Sequence, residues 1–477
     1  MRVAVVAAVL AVVCGSASVA YAAYHHMGEV DSSYFVSVHP DAAGTKLDSC
    51  GLCHRGGKLG NNTVGSCQLC HSTYGYDAPH GDILATLNPY GVDFLSHGAS
   101  AAAVVAIEGL DSDGDGFSNA DEIAAVRYPG DPNDDPTKVT APARVYDLAE
   151  MEAMPPYSQF MLMNTSKSGD FYCTYTGVPL AHVLEDAGML STATGINVFA
   201  ADGFSTSHPL DPTPGFYHVR GNYPSTTFFY NVQADKKFTS YGWCDYSAPS
   251  VTGWSNGDPI TGLKMLLAYK FEGHYLVPGS MGPDNKLTPA SEGPFRVVPP
   301  QTVPGPPDQA SNALNQNVLW PYNKNWDHNA GFSSKCATII KVGPLPAGTT
   351  DINVLEAGWD YVDAGKIVVY GAIDPVPTAR NRGVDLTEYV AAINSKALRS
   401  KKMGRTLANK LKAIDHMLAA GKVNAAMDKI QKDLLPKVDG FVKRGAADKT
   451  DWIVESSAQR HVYWALQELL TLLRAAE

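Results

Sequence analysis

Two copies of one five-residue pattern lie near the start of this 477-residue chain: Cys50-Gly51-Leu52-Cys53-His54 and Cys67-Gln68-Leu69-Cys70-His71, with only the 12 residues 55–66 between them. Thiols three positions apart, followed directly by an imidazole, have a chemical reading. Each thiol can form a thioether to one vinyl group of a porphyrin, and the adjacent histidine then lies under the iron. Paired Cys-x-x-Cys motifs also occur in zinc ribbons. A histidine directly after both pairs, in a chain with only 14 histidines, favours haem. The two motifs therefore predict two covalently bound haem c groups at Cys50, Cys53, His54, Cys67, Cys70 and His71. So short a segment cannot bury such cofactors in a core of its own, so a loop-rich module is expected around them.

The sixth iron ligands are less determined. His25, His26, Met27, His39, His80 and His97 all lie within reach in sequence. This density favours bis-histidine ligation, with His39 and His80 the first candidates and His97 next. Two imidazoles stabilise the ferric state relative to a Met/His pair, so a low reduction potential is expected.

Residues 1–22 have the layout of a secretory signal: Arg2, an apolar run from Val3 to Val13, then small residues ending at Ala22. The apolar run is well short of the ~20 residues a bilayer requires, and no later stretch reaches that length. Export to the periplasm or cell surface is expected, with Cys14 removed along with the signal. The formal net charge of −11 rules against nucleic acid held by a general basic field. That charge is uneven: residues 391–477 hold 16 basic and 9 acidic groups, leaving 21 and 39 in the rest, or +7 against −18. A separate C-terminal unit is implied.

After the haem motifs comes Asp-Ser-Asp-Gly-Asp-Gly-Phe-Ser-Asn-Ala-Asp-Glu at 111–122. Side-chain oxygens fall at Asp111, Asp113, Asp115, Asn119 and Glu122, the Phe117 carbonyl falls at the seventh position, and Gly116 supplies the sharp turn. This is the register of an EF-hand-like calcium loop. Its flanks are short, so a lone structural site is expected, followed by a linker containing Asp131, Asp134 and Asp135.

From about 141 to 373 the chain shows short apolar runs separated by turn residues. Strands are predicted at 160–163, 171–175, 196–200, 216–219, 227–232, 295–298, 337–342 and 366–370, with helices at 179–187 and 262–269. Five prolines in 299–307 read as a crossover within this domain. Trp320, Trp326 and His328 are candidates for a pocket but are read first as packing. Beyond it, Asp385-Leu386-Thr387-Glu388 reads as a capping box opening the first helix of a tail bundle. Further helices are expected through Leu407–Leu418 and Val423–Leu434 spacings, and from Trp452 to Leu473. The fold class is thus multidomain: signal 1–22, diheme module with EF-hand-like loop 23–138, β-rich α+β domain 139–380, and small helical bundle 381–477. Of the cysteines not used for haem or lost with the signal, Cys173, Cys244 and Cys336 remain, and two of them can pair.

In the middle domain, Tyr175-Thr176-Gly177-Val178-Pro179-Leu180, Ala201-Asp202-Gly203-Phe204, Leu267-Ala268-Tyr269-Lys270 with Gly273, and Gly293-Pro294-Phe295-Arg296-Val297-Val298-Pro299 with Lys341 resemble the oxidoreductase molybdopterin-binding domain of the sulfite oxidase fold. That family holds molybdenum through a cysteine about a dozen residues before the Gly-Val-Pro-Leu element. Here the region reads Met163-Asn164-Thr165-Ser166, so molybdopterin is not expected and reuse of the fold for binding or scaffolding is. The whole arrangement also resembles a diheme c-type cytochrome family of anaerobic respiring bacteria named for a Gly-Glu-Gly-Pro motif. Ser291-Glu292-Gly293-Pro294 departs from that motif at its first residue. The resemblance implies electron transfer in anaerobic respiration, with redox proteins or an extracellular acceptor as partners. A haem-wired oxidoreductase and a calcium-stabilised cell-surface binding protein are the alternatives.

Overall fold

The computed structural model describes residues 29–54, 56–59, 62–64, 69, 83–165, 170–221, 227–235, 244–280, 282, 287–302, 309–310, 317–318, 328–353 and 359–475. The chain is multidomain with mixed α and β structure and a helical C-terminal region. The signal, Cys14, His25, His26, Met27, Cys67, Cys70, His71, His80, Trp320 and Trp326 lie outside the described residues.

In the N-terminal unit, helices α1 (Glu29–Val38), α2 (Pro89–Ser96), α3 (Ala101–Ile107) and α4 (Asn119–Ala124) surround a small apolar core containing Phe35, Leu47, Leu52, Tyr90, Phe94 and Ile107. The helix starts are written locally. Asn88, Ser100 and Ser118 cap α2, α3 and α4 by accepting hydrogen bonds from backbone N–H groups of the first turn, and Pro89 occupies the first turn of α2.

The middle of the chain contains β1 (Ala143–Asp147), β2 (Tyr157–Met163), β3 (Asp170–Pro179), α5 (Leu180–Asp186), β4 (Gly195–Ala200), β5 (Ser205–Pro209), β6 (Cys244–Asp245), β7 (Leu266–Phe271), β8 (His274–Tyr275), β9 (Arg296–Val298), β10 (Ala337–Gly343) and β11 (Lys366–Gly371). One sheet runs β1-β11-β10-β4-β5, with β10 and β11 parallel; the other runs β6-β3-β7-β8, with β2 on β3 and β9 on β7. The two sheets share one core, to which β11 contributes Ile367 and Val369, while Val368 and Tyr370 from its other face join a second cluster. This two-residue alternation is what lets one strand serve two packed layers.

Several sequence expectations are corrected here. The segment 262–269 is not a helix; its apolar part forms β7, paired with both β3 and β9. A strand buried on both faces is apolar throughout, and periodicity cannot separate it from a buried helix. Residues 216–219 are irregular, although Tyr217 and Val219 are buried and the Val219 N–H donates to the Pro209 carbonyl at 3.0 Å. In 227–232 only Phe228–Phe229 is a strand. No disulfide joins Cys173, Cys244 and Cys336.

The tail holds α6 (Val376–Ala392), α7 (Lys401–Ala419), α8 (Val423–Lys429) and α9 (Ser456–Arg474) around one apolar cluster. Asp385 sits inside α6 rather than at its start. The buried stripe Ala379, Leu386 and Val390 begins earlier than the expected box, and Pro377 lies in the first turn. The helical unit therefore begins ahead of residue 381. A π turn at Ile430–Leu434 ends the third helical segment, and Trp452 precedes α9. Among the described residues no helix is long and apolar enough to cross a membrane.

His208 on β5 is buried between the Tyr217 carbonyl at 3.0 Å and Thr206 Oγ1 at 3.1 Å. Burial pulls its pKa from the ordinary 6.5 down to about 4. The unfolded chain takes up this proton as pH falls through 6.5 and the folded chain resists it, so stability present above pH 6.5 is lost as the pH falls towards 4. Thermal unfolding between pH 7 and 4 is expected to show this loss, on the order of 3 kcal/mol from this group. His208→Gln should flatten the slope.

Candidate functional site

Cys50, Gly51 and Leu52 form one 3₁₀ turn, opened by Ser49, whose hydroxyl accepts from the Gly51 N–H at 3.2 Å. Burial pushes the Cys53 thiol up to about 12, with Cys50 and Asp31 adding to the effect. A thioether carries no charge, so it fits this setting in a way that a thiolate does not. His54 closes the motif: its Nδ1 lies 2.9 Å from Thr86 Oγ1, which orients the ring. Burial also lowers the His54 pKa, favouring the neutral imidazole that a metal requires.

A second segment clamps this turn. The Asn88 N–H donates to the Cys53 carbonyl at 2.9 Å, and Asn88 Nδ2 donates to the Leu52 carbonyl at 2.8 Å. Asn88 Oδ1 meanwhile accepts from the Gly91 N–H at 2.8 Å, so one side chain caps α2 and grips the cysteine turn. The closeness of α2 to the turn needs a glycine, since a Cβ on Gly91 would lie 2.3 Å from the Cys53 carbonyl oxygen.

Of the expected sixth ligands, His39 sits beside Phe35 in the same core, ring centroids 5.2 Å apart. Its Nε2 is buried without a hydrogen-bond partner, 3.4 Å from Glu108 Oε1. Burial lowers its pKa against the opposing pull of Glu108. The Tyr90 hydroxyl, in the same core, is likewise buried and unpartnered. His97 is exposed at the end of α2 with Nδ1 2.8 Å from the Asp93 carbonyl. His80 lies outside the described residues.

No family model matches the chain, and neither a curated protein nor a solved structure matches it.

In the acidic loop, carboxylate oxygens of Asp111, Asp113 and Asp115 lie within 4.8 Å of one another. Gly114 and Gly116 take left-handed conformations, φ 81° and 100°, that turn the backbone N–H groups of 114, 115 and 116 onto the Asp111 carboxylate. The Phe117 N–H donates to Asp115 Oδ1 at 2.9 Å. Both oxygens of Glu122, with Asp113 Oδ2 and Asp115 Oδ2, are buried with no hydrogen-bond partner. Glu122 is 0% exposed, and burial, then repulsion from Asp113 and Asp115, pushes its pKa up to about 9. Asp113 is raised to about 6 for the same reasons. Orphaned carboxylates at this density are expensive in a protein interior unless a cation compensates them. The donor set is hard oxygen throughout, which fits calcium.

Asn119 differs from its expected role. Its Nδ2 donates to the Ile107 carbonyl at 2.8 Å and to Ser112 Oγ at 2.9 Å, and its Oδ1 accepts from the Ser112 N–H at 3.2 Å. It braces the loop instead of facing the carboxylates. Thr86, Asn88, Gly91, Asp93 and Ser112 escaped the sequence reading. Asn88-Pro89 did announce a helix start, but the partners of these residues are distant in sequence.

The middle domain shows a different kind of cluster. Arg296 is buried, with Nε donating to Ser333 Oγ at 2.7 Å and Nη1 to the Tyr175 hydroxyl at 2.8 Å and to Glu292, which also binds Lys335 at 2.6 Å. These bonds are internal and brace the 293–299 segment. Cys173, buried inside β3, has its thiol pushed well up by burial, which does not fit a thiolate ligand for molybdenum.

Gly91→Ala is expected to force α2 off the cysteine turn, destabilising the N-terminal unit by roughly 1–3 kcal/mol, read by thermal unfolding. Glu122→Gln should weaken calcium binding by at least about tenfold, measured by calorimetric titration of the chelator-treated protein.

Proposed function

We propose that this chain is an exported electron carrier of the diheme c-type cytochrome kind, with one haem at Cys50, Cys53 and His54 and a second at Cys67, Cys70 and His71. The observation that carries this reading is the first motif's geometry: two cysteine thiols on one turn, followed by an imidazole that Thr86 orients through Nδ1. The bound haem would supply one-electron transfer at its iron. The chain's own residues do the positioning. Thr86 orients the His54 ring, Asn88 and Gly91 hold the cysteine turn, and His39, neutral and unpartnered at Nε2, is the leading described candidate for a sixth ligand.

Calcium in the 111–122 loop is part of the same proposal. It rests on the four orphaned carboxylate oxygens of Asp113, Asp115 and Glu122. Asp111 contributes to the acidic cluster, and the Phe117 carbonyl completes the proposed set. The middle domain is assigned a scaffolding or docking role on a sulfite-oxidase-like fold, with partners among redox proteins or an extracellular acceptor in anaerobic respiration. The region around Met163 offers no thiolate, and the Cys173 thiol is in the wrong state to replace one.

Protein secreted from a host with haem-attachment machinery should contain two iron atoms and two covalently bound haems per chain, shown by metal analysis and by the reduced α band of a pyridine haemochrome. Molybdenum at one atom per chain would replace the carrier reading with that of a haem-wired oxidoreductase. Absence of covalent haem would remove both.

A further inference from the structure

The acidic loop and the first cysteine turn are far apart in sequence, yet α2 touches both. At its start, Asn88 and Gly91 lie on the backbone of 51–53. One turn later, Asp93 Oδ2 accepts a hydrogen bond from the hydroxyl of Ser112 at 2.7 Å. Ser112 is the second residue of the loop, between the acidic positions 111 and 113, and its own carboxylate-free side chain is not a ligand. Its hydroxyl also accepts from Asn119 Nδ2, and Asn119 is completely buried under the Ile107 carbonyl. The hydroxyl of Ser112 is thus gripped from both sides, by α2 and by the start of α4.

A second connection leaves the other end of the loop. The Arg127 N–H donates to the Glu122 carbonyl at 2.8 Å, and Arg127 lies 3.7 Å from Asp134, which pairs with Lys46. The Lys46 carbonyl accepts from Ser49 Oγ at 2.8 Å, and Ser49 opens the cysteine turn. The α2 connection ends on the Ser112 hydroxyl and the second one on the Ser49 hydroxyl.

We propose that Ser112 and Asp93 are positioning residues through which cation occupancy of the 111–122 loop sets the placement of the Cys50–His54 turn, and hence the properties of the haem attached there. The inference rests on the haem and calcium reading above. Without a cation, the unpaired oxygens of Asp113, Asp115 and Glu122 have no common partner to hold them together, and relaxation of the loop moves the 111–113 backbone. Ser112 moves with it, and α2 is the element it is tied to. A through-space effect of the ion's charge would act on the haem whether or not Ser112 has a hydroxyl. A mechanical effect carried by α2 requires it.

The experiment compares the secreted holoprotein with Ser112→Ala and Asp93→Ala, each with calcium and after chelation. Calcium binding is measured by calorimetry, haem potentials by spectroelectrochemistry, and backbone protection of 50–54 and 88–96 by hydrogen exchange. In the unaltered protein, calcium should shift the potential of one haem and raise protection in both segments. In both variants calcium should still bind stoichiometrically, with the potential shift and the gain in protection lost. A shift that persists in the variants would overturn the proposal, in favour of charge proximity or of the route through Arg127, Asp134 and Lys46. Absence of any calcium response in the unaltered holoprotein, with both haem and calcium bound, would also overturn it. Failure to bind haem or calcium at all would instead overturn the functional reading on which it rests.

Discussion

The ammonium of Lys46 and the carboxylate of Asp134 are taken out of water together, at 1% and 3% exposure, with Nζ 2.5 Å from Oδ2. Burial lowers the Lys46 pKa and raises that of Asp134, so for each group desolvation outweighs the attraction of its partner. Such a pair adds little net stability, but removing one member leaves an uncompensated buried charge, at about 3–5 kcal/mol. Its contribution here is to specify an arrangement. Asp134 accepts from the Tyr128 N–H and from Thr350 of the middle domain, while the Lys46 N–H donates to Asn353. The ammonium also lies over the Tyr128 ring, 4.7 Å from its centroid. One buried pair therefore ties the cysteine-bearing unit to the β-rich domain.

That junction explains how a unit with so small a core holds its shape. Among the described residues, the buried apolar side chains of this unit, Phe35, Leu47, Leu52, Tyr90, Phe94, Ile107 and a few smaller ones, make a small core for a domain. The remaining order comes from polar devices anchored at fixed points: Asn88 across the cysteine turn, Asn119 under the acidic loop, and Asp134 at the junction. The turn carrying Cys50 and Cys53 is held by Asn88 from α2 and by Ser49 at its own start. The tail is joined differently, with Thr378 of α6 exchanging hydrogen bonds with the backbone of Ala143 on β1.

The legible parts of the fold were those with local causes. Strands at 160–163, 171–175, 196–200 and 337–342 fall within β2, β3, β4 and β10, because β-branched and aromatic runs bounded by turn residues have few other ways to pack. The strand β7 has a helix-like sequence because it is covered on both faces, and coverage is a property of its neighbours. The start of α6 lies ahead of the local cap signal at Asp385 and Glu388 because Pro377 and Ala379 extend its stripe backwards. At the site, the cysteine spacing and the Asp-x-Asp-x-Asp-Gly register were visible because the chemistry itself demands short spacing. The residues that hold them were not visible, since Thr86 and Asn88 act on positions more than 30 residues away.

By itself the sequence determined which atoms can do chemistry: paired thiols with a following imidazole, and carboxylates repeated at every second position of a glycine-turned loop. These are constraints on reach along a chain, and reach along a chain is written in residue order. Only the tertiary structure decided which of those atoms lack partners. It showed both oxygens of Glu122 buried and unpaired, Asn119 withdrawn into a brace, and α2 lying between the acidic loop and the cysteine turn. Burial and hydrogen bonding depend on what distant segments bring to the same place, and no spacing rule within a segment carries that information.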